Sequence, residues 1–224
     1  MSLLSKTASV MHRQHGWFVA DSFTDAPVGK WGTKDGDLFE VLGDLKDVNM
    51  GVPDPIKHSV SRTPRWFLDN GVSYGNWQVK GKDKSGLASL SIKVEFSSKY
   101  SIACFLSSYT EVQMDNLDAI GDALAELYRE KGKDWKLNRK WVYTALQVHS
   151  GFIVMSLEKD IAVTLSGQGT VSASGVPVDI NVDGFQSSAS SSVEMVGLEG
   201  VTPFVKLAEV YDPVFSKADW HQIG

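Results

Sequence analysis

Five histidines, one cysteine and two glycine-rich stretches are the residues of this 224-residue chain whose types could do chemistry. Their spacing assembles little of it. The histidines are His12, His15, His58, His149 and His221; only the first two are close, at i,i+3, with no cysteine or carboxylate at ligand spacing. Zinc needs three or four convergent ligands, so no metal centre is expected. Gly75 to Lys82 is faintly like a phosphate-binding loop, but one extra residue separates its glycines and Asp83 stands where Ser or Thr is required. A polar turn between strands accounts for it. Gly167-Gln168-Gly169 reads as a turn or bulge, and neither a G-x-S-x-G elbow nor a Cys–His signature is present. The chain is expected not to be an enzyme and to need no cofactor.

Cys104 lies in an apolar run from Ile102 to Leu106, where a thiol is buried and inert. A lone cysteine forbids an internal disulfide and fits a reducing, cytoplasmic compartment, while a cross-link between two copies stays open.

Charge is the next resource. Lys and Arg number 22 against 27 Asp and Glu, a net charge of −5 that argues against nucleic acid as partner. Against that background Arg129, Lys131, Lys133, Lys136, Arg139 and Lys140 fall close together, opposed by Glu130 and Asp134. Lys6 and Arg13 add a basic N-terminal segment that has no acid before Asp21. A base near an anionic bilayer contributes on the order of 1 kcal/mol, so these clusters suit reversible, salt-sensitive recruitment to acidic lipid. A solvated corner between two helices would read the same way.

The elements that must position these residues follow from periodicity. Met1 to His15 suits a short helix; it lacks the continuous apolar core of a signal peptide. Residues 17–45 suggest a hairpin around the loop 25–32, which carries Trp31, and 49–70, with Pro53, Pro55 and Pro64, read as irregular. Leu90, Ile92, Val94 and Phe96 alternate with Ser91, Lys93, Glu95 and Ser97, a strand with one apolar face. Asp115 is the expected cap of a helix carrying Leu117, Ile120, Leu124, Leu127 and Tyr128 up to Gly132. Trp135 to His149 repeats that helical spacing through Leu137, Trp141, Val142, Ala145 and Leu146. Strand texture returns in Phe152 to Leu157, in Ile161, Val163 and Leu165, in Val176, Val178, Ile180 and Val182, and in two closing strands, 193–196 and 202–211. No run approaches the ~18 apolar residues of a transmembrane helix. The order suggests one compact α+β unit with a twisted antiparallel sheet and flanking helices. Alternating strands fit a half-buried soluble sheet. On pattern alone that reading is preferred; the serine-rich polar faces also suit a closed barrel that crosses lipid, which no single hairpin could do without leaving unpaired backbone in hydrocarbon.

The order of elements resembles the pore-forming domain of the gasdermins. The likeness is clearest in EVQMDNLDAIGDALAELYREKGKDWKLNRKWVYTALQVHSGFIVMSLEKDIAV, where the family places helices and then a buried strand leading into a membrane hairpin. SSVEMVGLEGVTPFVKLAEVYD is similar to the domain's closing strands, and GDLFEVLGDL to its early strand and turn. The resemblance implies that residues near 74–107 and 152–193 refold into two hairpins. Leu90, Ile92, Val94, Phe96, Ile161, Val163, Leu165, Val178, Ile180 and Val182 would then enter the membrane. Lys6, Arg13, Trp31 and the six bases of 129–140 would meet acidic phospholipid. It further implies a large ring of this chain or of paired homologues. The protein would be cytoplasmic when soluble and at the plasma membrane or an organelle membrane when active, permeabilising it in regulated cell death and innate immunity. A chain of this length is like the short members known from fungi, bacteria and early animals, with no C-terminal inhibitory domain; Cys104 and the tail Ser216–Gly224 are candidates for restraint in its place. The alternative is a non-inserting lipid- or protein-binding module that uses the 129–140 patch.

Overall fold

A computed structural model describes residues 1–48, 52–82, 84, 87–131, 135–171, 177–181, 192–212 and 218–224. In chain order its elements begin with helix α1 (Leu3–His15) and strands β1 (Phe18–Ala20), β2 (Lys30–Asp35), β3 (Leu38–Asp44), β4 (Lys57–Arg62) and β5 (Arg65–Leu68). Strands β6 (Val72–Tyr74), β7 (Gln78–Lys82), β8 (Ala88–Phe96) and β9 (Ile102–Met114) lead to helix α2 (Leu117–Lys131). The chain closes with β10 (Arg139–Ser156), β11 (Ile161–Val171), β12 (Pro177–Asn181), β13 (Val193–Leu198), β14 (Val201–Tyr211) and β15 (Asp219–Ile223). This is a mixed α+β protein dominated by antiparallel strands.

Where the sequence suggests one compact unit, the chain divides into two, each drawn from three stretches. The first takes residues 1–10, 61–109 and 148–200, the second 11–60, 110–147 and 201–224. The first unit is layered. Ala103 and Phe105 of β9, with Phe152 and Val154 of β10, turn one face toward β8 and β11. Ile102 and Met155, at the opposite parity on the same two strands, pack with Val10 and Leu3 of α1. Period-2 geometry thus gives one strand pair two apolar faces.

In the second unit a sheet ordered β15–β14–β1–β3–β2–β10 supports α2. Its core gathers Phe18, Phe39, Leu45, Ile120, Leu124, Trp135, Trp141, Val205 and Leu207. At Gly121 the helix lies close against β15: a Cβ there would lie 2.3 Å from the Trp220 ring, whose Nε1 donates to Asp122 at 3.2 Å.

Four expectations are corrected. The helix expected over Trp135–His149 is absent: from Arg139 onward these residues belong to the 18-residue strand β10. Because β10 is buried almost throughout, its apolar residues run together instead of alternating, and such a run also satisfies a 3–4 spacing. The Trp, Val, Tyr and Thr of WVYT carried the strand preference that decides it. Residues 17–45 hold a parallel β1–β3 pair and a β2–β3 hairpin. The hairpin turns at Gly36-Asp37, with Gly36 at φ +58, after the Asp-Gly signal at 35–36. The stretch 49–70 contains β4 and β5, with Pro64 between them where its missing N–H is harmless. Finally, α2 starts one residue later than expected: Asn116 C=O accepts from Ile120 N, while the Asp115 carboxylate faces His58.

Candidate functional site

β8 and β11 pair antiparallel over nine positions, from Ile161 opposite Phe96 to Gly169 opposite Ala88. One face carries Leu90, Ile92, Val94, Phe96, Val163 and Leu165, each at most 2% exposed, with Ile161 partly buried at the end. The other carries Ser89, Ser91, Lys93 and Glu95 beside Ala162, Thr164, Ser166 and Gln168. Both alternations read from the sequence are therefore present, and they meet in register. On the polar face Lys80, Ser89, Ser91, Ser166 and Gln168 line an open cleft of about 340 Å³.

The apolar face is covered by an aromatic layer that sequence reasoning missed. Trp66 lies 4.7 Å from Phe105 and 5.8 Å from Phe152 between ring centroids, and Trp77 lies 5.5 Å from Phe105. A signal was available for Phe105 and Phe152, which stand in apolar runs, but Trp66 lies in the stretch 49–70 that reads as irregular. Burying side chains of this kind is worth roughly 1.5–3 kcal/mol each, so the six fully buried residues hold the pair down by roughly 10–20 kcal/mol. Water cannot replace those contacts. A hydrocarbon phase could.

Of the remaining hairpin candidates, Val178 and Ile180 fall on β12, which pairs with β11 across a register shift at Thr170/Val171. Val182 lies outside the described residues, and no side-chain position is described for Val178 or Ile180.

Most of the basic candidates that are described have individual partners. Lys6 pairs with Asp69 at 2.6 Å inside the first unit. Arg13 is 75% exposed, its Nε 3.8 Å from Asp37, which also holds His12 at 2.7 Å. Trp31 sits on β2 rather than in a loop, half-buried, with the Arg139 guanidinium 4.4 Å above its ring and Trp135 6.0 Å away. Arg129 Nε donates to the Ala218 carbonyl at 2.9 Å. Lys140 is 9% exposed, ion-paired with Glu209 and donating to the Leu137 carbonyl at 3.0 Å. His221 approaches the same Glu209 at 3.3 Å. Lys136 is exposed. Lys133 lies outside the described residues, and for Lys131 no side-chain position is described.

Three further groups complete the picture. Cys104 is fully buried, and burial pushes its thiol well above the ordinary range. The tail residues Asp219–Ile223 form β15 against β14. Among the described residues no group of three or more His, Cys, Asp or Glu could hold a metal, and no helix is long and apolar enough to cross a membrane.

No family model matches the chain, and no curated protein matches it. Among solved structures the chain is similar to the gasdermin A3 membrane pore seen by cryo-EM. The two share 10% identity over 100% of this chain and 94% of that one, with a TM-score of 0.33. At that level of superposition the functional reading rests on the residues themselves.

Proposed function

We propose that this chain is a gasdermin-like pore-forming protein that binds acidic phospholipid, self-assembles and inserts strands to permeabilise membranes in regulated cell death. The observation that supports it best is the β8–β11 pair. These strands are 9 and 11 residues long, the length that spans a bilayer when tilted. One face is uniformly apolar and the other is rich in serine, lysine and glutamate, as a water-lined barrel wall requires. In the soluble form the apolar face is covered, so insertion means exchanging the Trp66, Phe105 and Phe152 layer for lipid tails. Two strands alone would leave open edges in hydrocarbon, so many copies must contribute to one closed barrel. No catalytic step is part of this reading.

The test is dye release from liposomes of phosphatidylcholine with and without phosphatidylserine, at physiological salt. Release confined to the acidic vesicles is the expected result. Binding to sealed vesicles that stay sealed, for the wild type and for a chain freed of any restraint by limited proteolysis, would replace it with the non-inserting module.

A further inference from the structure

The polar face of β7, β8 and β11 is ordered as a grid. Across it Lys80 stands opposite Ser89 and Ser89 opposite Gln168; two residues along, Gln78 stands opposite Ser91 and Ser91 opposite Ser166. Neighbouring strands lie about 4.8 Å apart, so side chains from three strands reach one small volume. That volume is the open cleft of about 340 Å³ lined by Lys80, Ser89, Ser91, Ser166 and Gln168. Leu90 and Gly167, at the opposite parity, bring main chain to its floor. Immediately after Lys80 the register of β7 shifts, at Gly81 with φ +59, and a bulge of this kind bends a strand and re-aims its side chains.

What lines the cleft selects its occupant. Each of the five side chains can donate: the Lys80 ammonium, three serine hydroxyls and the Gln168 amide. Among the described residues none of the five side chains has a hydrogen-bond or ion-pair partner. Ser91 and Ser166 are half-buried, where an unmade hydrogen bond costs more than in open water. Among the described residues no carboxylate lines the cleft, and Lys93 and Glu95 farther along the face pair with each other. A second cleft on the same sheet, of about 300 Å³, is lined by Glu95 and Asp160 and repels what the first attracts. Lys80 disfavours a cation, and an apolar ligand would strand five donors. With no aromatic ring among the lining residues, a neutral polyol has hydroxyl contacts alone. A terminal phosphate matches the donors, since it brings negative charge and three strong acceptor oxygens.

We propose that this cleft binds a soluble phosphomonoester, a small molecule whose terminal phosphate sits between Lys80 and the serine hydroxyls. Its volume is at the low end of small-molecule sites, which span roughly 300–1,000 Å³, and exceeds what a bare phosphate needs. Lys80 supplies a point charge, the hydroxyls of Ser89, Ser91 and Ser166 fix the oxygens, and the Gln168 amide meets a hydroxyl of the organic part. A bound ester ties β7 to β8 and β11 in the arrangement described. It needs neither a membrane nor assembly to do so.

The experiment is isothermal titration calorimetry of the full chain at low salt in a phosphate-free buffer, with glycerol phosphate, inorganic phosphate and glycerol as probes. Glycerol phosphate is expected to bind more tightly than inorganic phosphate, and glycerol not at all. Lys80→Gln should weaken the ester by about tenfold or more, and Ser91→Ala and Ser166→Ala by about threefold to tenfold each. Lys80→Arg keeps the charge and should stay within about threefold of wild type. Lys93→Gln removes the same charge from the same face outside the cleft and should stay within about twofold. Thermal melting establishes that each variant is folded, and ester that saturates the wild type should raise its melting temperature by more than that of Lys80→Gln. A wild type that binds no ester overturns the proposal, as do equal losses in Lys80→Gln and Lys93→Gln, or glycerol binding as tightly as its phosphate. Binding to vesicles carrying phosphatidylinositol phosphate that is lost in Lys80→Gln, with the soluble ester ignored, also overturns it and assigns the cleft to a lipid headgroup.

Discussion

The β8–β11 pair and the 129–140 run are both patterns that a membrane could use, and folding treats them in opposite ways. In the first, alternation along the chain becomes two opposed faces, because successive Cβ atoms of a strand point to opposite sides whatever else happens. In the second, residues close in sequence go to different partners. Arg129 bonds a backbone carbonyl, Arg139 stacks on Trp31, Lys140 turns inward to Glu209, and Lys136 is left exposed. Periodicity is a local property that the backbone preserves; charge density along a chain is not a surface.

The comparison breaks most easily within one strand. Ile92→Asp places a carboxylate where the side chain is 1% exposed, amid Phe96, Val94 and Leu165. With no partner for the charge, the expected loss is on the order of 4 kcal/mol. Ser91→Asp, one residue away on the polar face, should stay within about 0.5 kcal/mol. Urea unfolding of the two variants measures the difference. Equal effects would mean that β8 does not have two distinct faces.

The basic run is tested in the same manner. Lys140→Met leaves the Glu209 carboxylate partly buried with His221 as its remaining partner, and about 3 kcal/mol of stability should go with it. Lys136→Met removes an exposed charge and should change stability by no more than about 0.5 kcal/mol. If the two melt alike, Lys140 is not the internal residue described.

Legibility in the sequence followed the same division. Strands half-buried on one face, such as β8 and β11, are readable because solvent writes the alternation. The first half of β10 was misread as helix because it is buried on nearly every residue, so its few polar positions do not alternate strictly with apolar ones and do not mark a period of two. The Gly36-Asp37 hairpin was legible in principle and was masked by the more conspicuous Pro and Gly of 25–32. The division into two units was not legible, since each gathers three separated stretches and no composition shift marks their borders. Nor were the partners of Lys6 and Lys140, which lie 63 and 69 residues away in sequence.

Helix α2 offers a smaller effect whose sign is informative. Ala is the better helix former by roughly 1 kcal/mol, so Gly121→Ala on an open helix face would stabilise. Here the new Cβ meets the Trp220 ring at 2.3 Å, and both the ring and its bond to Asp122 must move. Overpacking of this kind costs roughly 1–3 kcal/mol, so a net loss of about 1 kcal/mol is expected, with a red shift of tryptophan emission as β15 loosens. A gain in stability would detach β15 from α2.

The smallest effect concerns affinity rather than stability, and it returns to the two kinds of basic residue. A single charge at an acidic bilayer contributes on the order of 1 kcal/mol, about fivefold in binding, and it does so when its ammonium or guanidinium can reach the headgroups. Arg13 at 75% exposure and Lys136 meet that condition; Lys6 and Lys140 are held by Asp69 and Glu209. Arg13→Gln and Lys136→Gln should therefore each weaken flotation with phosphatidylserine vesicles by up to about fivefold at low salt, the effect fading as salt rises. Lys6→Gln and Lys140→Gln should leave binding by the folded fraction unchanged while lowering the melting temperature. If all four weaken binding alike, the arrangement of these residues described above is not the one that meets the membrane. The ion pairs to Asp69 and Glu209 must then open on contact, placing the first step of refolding at those two carboxylates.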